Sequence, residues 1–249
     1  MKIILHQYNY LDSTNKEALR LISDEKAGEG MVLRAHEQTR GRGTGENSWE
    51  SEPGKNLTFS VILQPRFLEP SRQFALTKMI SLTLFDVTER RFGCESLHIK
   101  WPNDLYFNNK KLAGVLVQNR IKANQLDFSV IGVGLNVNQK KFFSDAPNPT
   151  SLIHFSKKEE PLSGLLDEIL EQLSYYYEKI KADTKSLDDL YLQKLYRIDE
   201  WAKYSDEAGI FMAKITGINR YGQLLMTDRQ GNKRVYGFKE VEFLDERLQ

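Results

Sequence analysis

Gly41, Gly43 and Gly45 alternate with Arg42 and Thr44 in the stretch Gln38-Thr39-Arg40-Gly41-Arg42-Gly43-Thr44-Gly45-Glu46-Asn47-Ser48-Trp49. Glycine at that density weakens any helix or strand interior, so this stretch must be a loop, and the flanking elements must deliver it. What glycine offers is a backbone that can take positive φ and come close to another group. With Arg40 and Arg42 adding positive charge, exposed N–H groups there make a concavity suited to an anion, most often phosphate. A basic surface loop with no ligand is the alternative that the glycines alone leave open. Two nucleotide signatures are excluded. The Gly-x-Gly-x-Gly spacing fails the Rossmann pattern at its third glycine, and no Gly-Lys-Ser/Thr follows as a phosphate-binding P-loop requires.

The rest of the chain reads as α+β. Residues 2–8 form a first strand, and Asp12-Ser13-Thr14-Asn15 opens a helix in which Thr14 and Glu17 have capping-box spacing. Ala18, Leu19 and Ile22 are its buried stripe. Capping alone accounts for Ser13 to Asn15, although a helix N-terminus also receives polar ligands. Strand 31–36 leads into the glycine loop. Residues 56–63 alternate, with Leu57, Phe59, Val61 and Leu63 on one face and Thr58 and Ser60 on the other, which predicts a half-buried strand. A long helix follows over 71–92, ended by Gly93. Two short strands flank Pro102-Asn103-Asp104, and Asn108-Asn109 turns the chain into a return strand over 111–117. A strand over 128–137 carries Gly132 and Gly134, and strand glycines mark a close approach of backbone or ligand. Residues 138–161, with Pro147, Pro149 and Pro161, read as a long functional loop. Helices are expected over 162–182 and about 186–203, with Tyr175, Tyr176 and Tyr177 packed into the core. From about 208 short strands separated by turns at Tyr221-Gly222 and Arg229 to Asn232 predict a small SH3-like β-barrel. The expected division is 1–204 and 205–249.

Composition narrows the function. Lys+Arg 35 against Asp+Glu 34 leaves a formal net charge of +1, so overall charge argues for no nucleic-acid partner. Cys94 is the single cysteine, which rules out an internal disulfide and a cysteine metal cluster. Neither a signal peptide nor a membrane-length apolar run is present, and a cytoplasmic protein is expected.

Taken together, Gly41-Arg42-Gly43…Trp49, Lys100-Trp101-Pro102-Asn103-Asp104…Lys111-Leu112-Ala113-Gly114 and Gly132-Val133-Gly134-Leu135-Asn136 resemble the biotin protein ligases, in the same order and along nearly the whole chain. The resemblance implies a mixed sheet backed by helices, as in class II synthetase-like catalytic domains, with a C-terminal SH3-like barrel. It implies that ATP activates biotin as biotinyl-5′-AMP and that a lysine of a biotin carboxyl carrier domain receives the biotin. Bringing a carboxylate and a triphosphate together needs cations and N–H donors. The resemblance gives those roles to Arg42 and to Lys111, although Lys110 beside it could claim the same place from the residues alone. By the same resemblance Ser13, Thr14, Asn15, Gln38, Gly41 and Gly43 lie around biotin, with Gly114 and Gly132 clearing backbone for its rings. Trp49, Asn103 and Asn136 fall on ATP, Asp104 on Mg²⁺, and Trp101 is structural. Thr44 stands where the family has Arg, Gln or Lys, and Glu46 where it has Gly, which bears on how the adenylate is retained. Regulatory members carry an N-terminal DNA-binding domain that is not seen ahead of the first strand here, so no DNA or membrane partner is expected. A homodimer is compatible with the pattern. The competing readings are a lipoate or octanoate ligase or transferase of the same fold, against which Cys94 lies outside every motif, and a non-catalytic small-ligand module.

Overall fold

The computed structural model describes residues 1–45, 47–93, 95–144 and 148–244. Glu46, Cys94 and Pro147, discussed above, lie outside the described residues.

The larger sheet has seven strands in the order β1-β2-β3-β7-β6-β5-β4. These are β1 (Ile4–Leu11), β2 (Met31–Gln38), β3 (Leu57–Leu63), β4 (Leu97–Lys100), β5 (Asp104–Phe107), β6 (Lys110–Lys122) and β7 (Gln125–Leu135). β1 and β2 run parallel and the other pairs antiparallel, so the sheet is mixed as expected. β6 runs past the expected return strand and turns at Ala123-Asn124, both in left-handed conformation, to meet β7 in a long ladder.

Helix α1 (Thr14–Ser23) covers one face of this sheet, packing Ala18 and Ile22 on Leu33, Ile62 and Val130. On the other face lie α2 (Phe74–Phe92) and, after the short α3 (Ile153–Ser156), α4 (Leu162–Ala182). There Leu57, Phe59, Val61 and Leu63 join the main core with Met79, Ile80, Leu166, Ile169 and Leu173. The alternation of β3 therefore assigned its faces correctly and their burial incorrectly. Every residue of β3 is buried, because α1 lies over the face that carries Thr58 and Ser60. Gly93 ends α2 with φ 59°, and its N–H donates to the Glu89 carbonyl at 2.8 Å. Tyr176 and Tyr177 are buried in α4, whereas Tyr175 is 54% exposed and is not a core residue.

Between the two helices the Tyr176 hydroxyl donates to the Asp86 carboxylate. Burial raises the Asp86 pKa above the usual carboxylate range, and the Tyr176 hydrogen bond offsets only part of that effect. The native state thus keeps this proton to higher pH than the unfolded chain, so Asp86 subtracts stability as pH rises through its folded pKa. Asp86→Asn keeps an acceptor for Tyr176 and is expected to raise Tm by about 2 °C at pH 7. The gain should shrink as pH falls into the ordinary carboxylate range; thermal melts of both proteins at pH 7 and pH 3.5 check it.

The C-terminal part departs from expectation. The helix expected over 186–203 is only α5 (Asp188–Gln193). Beyond it Arg197 and Asp199 take positive φ, and the chain pairs with β4, Ile99 N–H donating to Lys194 O at 2.8 Å and Tyr196 N–H to Ile99 O at 2.9 Å. The second sheet begins at β8 (Ala202–Asp206) and continues through β9 (Gly209–Ile218), β10 (Leu224–Asp228), β11 (Lys233–Tyr236) and β12 (Glu242–Phe243). Its order is β11-β10-β9-β8-β12, and among the described residues β11 and β12 do not pair. The expected SH3-like barrel is therefore wrong: this is an open five-stranded sheet. Closure needs edge strands long enough to share a staggered ladder on both sides. β12 is only two residues long and spends its pairing on β8. Among the described residues no helix is long and apolar enough to cross a membrane.

Candidate active site

The N-terminus of α1 stands over the polar face of β3. Ser13 is the N-cap residue, yet its side chain caps nothing, and Glu17 pairs with Arg20 at 2.7 Å instead of closing a capping box. The side chains of this turn are thereby left to another set of partners. Thr14 N–H and Thr14 Oγ1 lie 2.8 and 3.1 Å from Gln38 Oε1. Ser60 Oγ lies 2.7 Å from Thr14 Oγ1 and 2.6 Å from Asn15 Oδ1. The Asn15 amide donates to Gln118 Oε1 at 3.0 Å. Ser13, Thr14, Asn15 and Ser60 are all buried, and buried polar groups persist only when partnered in this way. Ser60 and Gln118 were missed by sequence reasoning. The signal for Ser60 was present in the polar face of its strand. Gln118 had none, because it lies beyond the expected end of the return strand, and only the long β6–β7 ladder brings it under Asn15.

The glycine loop folds back on itself. Arg42 bridges to Ser48, Gly43 N–H donates to Asn47 O at 2.7 Å, and Trp49 N–H to Gly41 O at 2.9 Å. A Cβ at Gly41 would lie 2.4 Å from the Trp49 carbonyl oxygen, so only glycine permits this crossing. The returning strand lays the Trp49 indole across Gly114 and Gly134, which face each other in the β6–β7 ladder. A Cβ on Gly134 would fall 2.2 Å from Trp49 Cε2, and one on Gly132 would fall 2.0 Å from Asn15 Oδ1. The room beside these strand glycines is thus taken by Trp49 and Asn15. Trp49 Nε1 is buried without a hydrogen-bond partner.

β5 and β6 supply the charges. Lys111 Nζ and Asp104 Oδ2 are 2.7 Å apart, at 24% and 23% exposure, and Lys111 Nζ stands 5.8 Å from the Trp49 ring centroid. Lys110 is exposed on the hairpin, which separates two lysines the sequence left equivalent. Behind Lys111 runs the loop after β7: Lys111 N–H donates to Asn148 O at 2.8 Å and Thr150 N–H to Lys111 O at 2.9 Å. Asn136 is buried there, its amide donating to Thr150 O while its Oδ1 has no partner. Asn103 donates its amide to Val115 O and so ties the Pro102 turn to β6.

A single cavity collects most of these groups. Its walls include Ser13, Thr14, Asn15 and Gln38 at one end and Arg42, Gly43, Trp49, Asp104 and Lys111 at the other, with Gly114 and Gly132 along its floor. Thr44 also lines it. Of the expected site residues, Gly41, Asn103 and Asn136 are not among its walls. Asn103 instead lines a wider cleft that shares Gly43, Thr44, Trp49, Asp104 and Lys111 with the cavity and opens toward Phe238 and Phe243 of the second sheet. Neutral hydrogen-bonding groups thus lie at one end and two cations at the other, an arrangement suited to an acid with a polar head and to the phosphates that would activate it.

Residues 8–136 match the model of the Biotin/lipoate A/B protein ligase family, and the chain belongs to that family. It is 30% identical over 237 residues to the bifunctional ligase/repressor BirA of Bacillus spizizenii, covering 91% of this chain and 70% of that protein. It is 35% identical over 133 residues to BirA of Escherichia coli, covering 53% and 40%. Among solved structures it is similar to the biotin protein ligase from Aquifex aeolicus in complex with biotin and ATP, with a TM-score of 0.79, 27% identity and coverage of 96% of this chain and 97% of that one.

Proposed function

We propose that this chain is an ATP-dependent biotin–protein ligase, which makes biotinyl-5′-AMP and passes the biotinyl group to a lysine of a biotin carboxyl carrier domain. The observation that carries this reading is the single cavity that joins the Thr14–Asn15–Ser60 network to Lys111 and Arg42. A ureido head offers two N–H donors and one carbonyl acceptor and has no charge, so it needs fixed, dry hydrogen-bonding partners. The far end of the same molecule is a carboxylate, which the cations at the opposite end of the cavity would receive.

In the first step a carboxylate oxygen of biotin attacks the α-phosphorus of ATP. The P–O bond to the β-phosphate breaks, and pyrophosphate leaves with the electron pair. Anion meets anion here, so catalysis depends on positive groups in place before the reaction begins. Arg42 can bridge carboxylate and phosphate through its planar fork. The Lys111 ammonium, held by Asp104, stands ready for the developing negative charge. In the second step the neutral acceptor amine attacks the acyl carbon. The C–O bond to phosphate breaks, AMP leaves with that oxygen and the electron pair, and the nitrogen's extra proton passes to solvent. Both ATP and the acceptor lysine would enter by the wider cleft.

Mg²⁺ that arrives with ATP takes most of its ligands from phosphate and water and needs only one or two protein carboxylates. Among the described residues no cluster of three or more His, Cys, Asp or Glu is placed to hold a metal, and Asp104 supplies a carboxylate in the cavity wall. That donor set fits a nucleotide-borne Mg²⁺, which Asp104 would hold and which would offset phosphate charge.

Pyrophosphate release in ATP and Mg²⁺, with biotin, lipoate and octanoate offered separately, tests the reading. Release with biotin alone is expected. Release with lipoate or octanoate instead would move the chain to the other branch of its family, and release with none of them would end the ligase reading.

A further inference from the structure

The segment that carries Asp104 is held from outside the larger sheet. Trp101 and Pro102 join β4 to β5, and the buried Trp101 indole N–H donates to the Gly222 carbonyl at 2.9 Å. Gly222 belongs to the turn between β9 and β10 of the second sheet. That turn is internally braced: Gly222 N–H donates to Asn219 O at 3.0 Å, and Tyr221 and Gln223 N–H donate to Asn219 Oδ1 at 3.0 and 3.1 Å. It is also tightly seated. Gly222 has φ 86°, and a Cβ there would lie 2.4 Å from the Phe74 ring at the start of α2. From the other side the Tyr191 hydroxyl of α5 donates to Pro102 O at 2.6 Å, and its ring meets Phe74 edge-on at 5.8 Å. Burial, and after it the nearby Asp104 charge, push the Tyr191 phenol up in pKa. Directly after these two anchors come Asn103, tied to β6, and Asp104, paired with Lys111.

We propose that Trp101 is a positioning residue for the Asp104–Lys111 pair, and that the Gly222 turn of the second sheet sets that position through the indole hydrogen bond. The second sheet then takes part in adenylation without touching biotin. Loss of this bond lets the Pro102 turn shift, and Asp104 is the first side chain of β5 to feel it. The Thr14–Asn15–Ser60 network is borne by α1 and β3, and its bonds to β6 go to Leu116 and Gln118 rather than to Asn103 or Asp104.

The kinetic arm of the test rests on the ligase reading; a spectroscopic arm does not. Trp101→Phe keeps an aromatic ring and removes the donor. In the full chain, kcat for biotin-dependent pyrophosphate release, per biotin-binding site titrated, is expected to fall roughly tenfold, as a sub-ångström to ångström misplacement would produce. Biotin affinity should fall much less than kcat, because the Thr14–Asn15–Ser60 end of the cavity is not displaced, and binding stoichiometry should be unchanged. In ¹⁵N-lysine-labelled protein the Lys111 Nζ resonance, assigned with Lys111→Arg, is expected to move. A Lys111 resonance that stays in place overturns the proposal whether or not the protein turns out to be a ligase. So does a loss of activity that only tracks the folded fraction. Wild-type protein that releases no pyrophosphate with biotin ends the ligase reading alone, and the resonance still decides the positioning role. Should Trp101→Phe fail to fold, Asn219→Ala removes the side chain that braces the Gly222 turn and is read in the same two ways.

Discussion

Lys111→Ala is expected to lower the rate of biotin-dependent pyrophosphate release by about 10³-fold while leaving the chain folded. The two halves of that expectation have separate causes. Lys111 and Asp104 are each about a quarter exposed, so the pair is partly screened, and its loss costs little stability. The Lys111 backbone keeps its bonds to Asn148 and Thr150, and the loop behind it stays in place. Catalysis is different, because a preorganised cation acts on charge that develops only as the P–O bond breaks. Single-turnover pyrophosphate release and thermal melts should be measured together, with the exposed Lys110→Ala as control. Equal rates for Lys111→Ala and wild type would remove Lys111 from the reaction, and a loss confined to Lys110→Ala would transfer the role to its neighbour.

The second large effect is expected from Gly132→Ala. Gly132 is paired on both sides, with Ser60 of β3 and Leu116 of β6, so its backbone cannot retreat. The new methyl would lie 2.0 Å from Asn15 Oδ1 and 2.7 Å from Asn15 Cγ, and Asn15 has to turn away. Doing so breaks its contacts with Ser60 and Gln118 and strands buried polar groups, at about 1–3 kcal/mol. For a chain of this size that is a fall in Tm of roughly 3–9 °C. The ligand end of the network is dismantled as well, and biotin affinity by calorimetry is expected to drop about 100-fold, the scale of two lost buried hydrogen bonds. The double variant Asn15→Ala/Gly132→Ala separates the two effects: it should recover only the part of the Tm lost to the displaced Asn15 amide and none of the affinity. If Gly132→Ala binds biotin as wild type does, Asn15 has no place in the ligand pocket.

Both expectations concern residues that the sequence singled out, but the reasons for them came from different levels. Lys111 was identified by its place in a motif, and the structure added the Asp104 contact and the exposure of Lys110. Gly132 was noticed as a strand glycine that clears space. Which group fills the space could not be read, since Asn15 lies more than a hundred positions away along the chain. Gly114 and Gly134 raise the same point, because their clearance is taken by the Trp49 indole. Ser60 shows a further limit. Its alternation marked a polar face, but alternation does not say whether water or a helix lies over that face. The capping-box spacing of Thr14 and Glu17 was likewise legible and unused, because Gln38 and Ser60 compete successfully for the Thr14 side chain.

The open second sheet and the Gly222 anchor belong to the same class of fact. Short strands and turns were readable after residue 208, whereas barrel closure depends on edge strands finding each other, and β12 is already committed to β8. By itself the sequence determined the order of the elements, the glycine loop that no regular element could hold, and the Lys100–Asp104, Lys111 and Gly132–Asn136 motifs. Such features are local: backbone freedom, side-chain period and spacing act over a few residues. Only the tertiary structure decided which polar face is buried, which side chain occupies each glycine gap, and that a turn of the second sheet reaches Trp101. Those outcomes depend on contacts between distant segments, whose partners are chosen by packing and hydrogen-bond competition that no local pattern records.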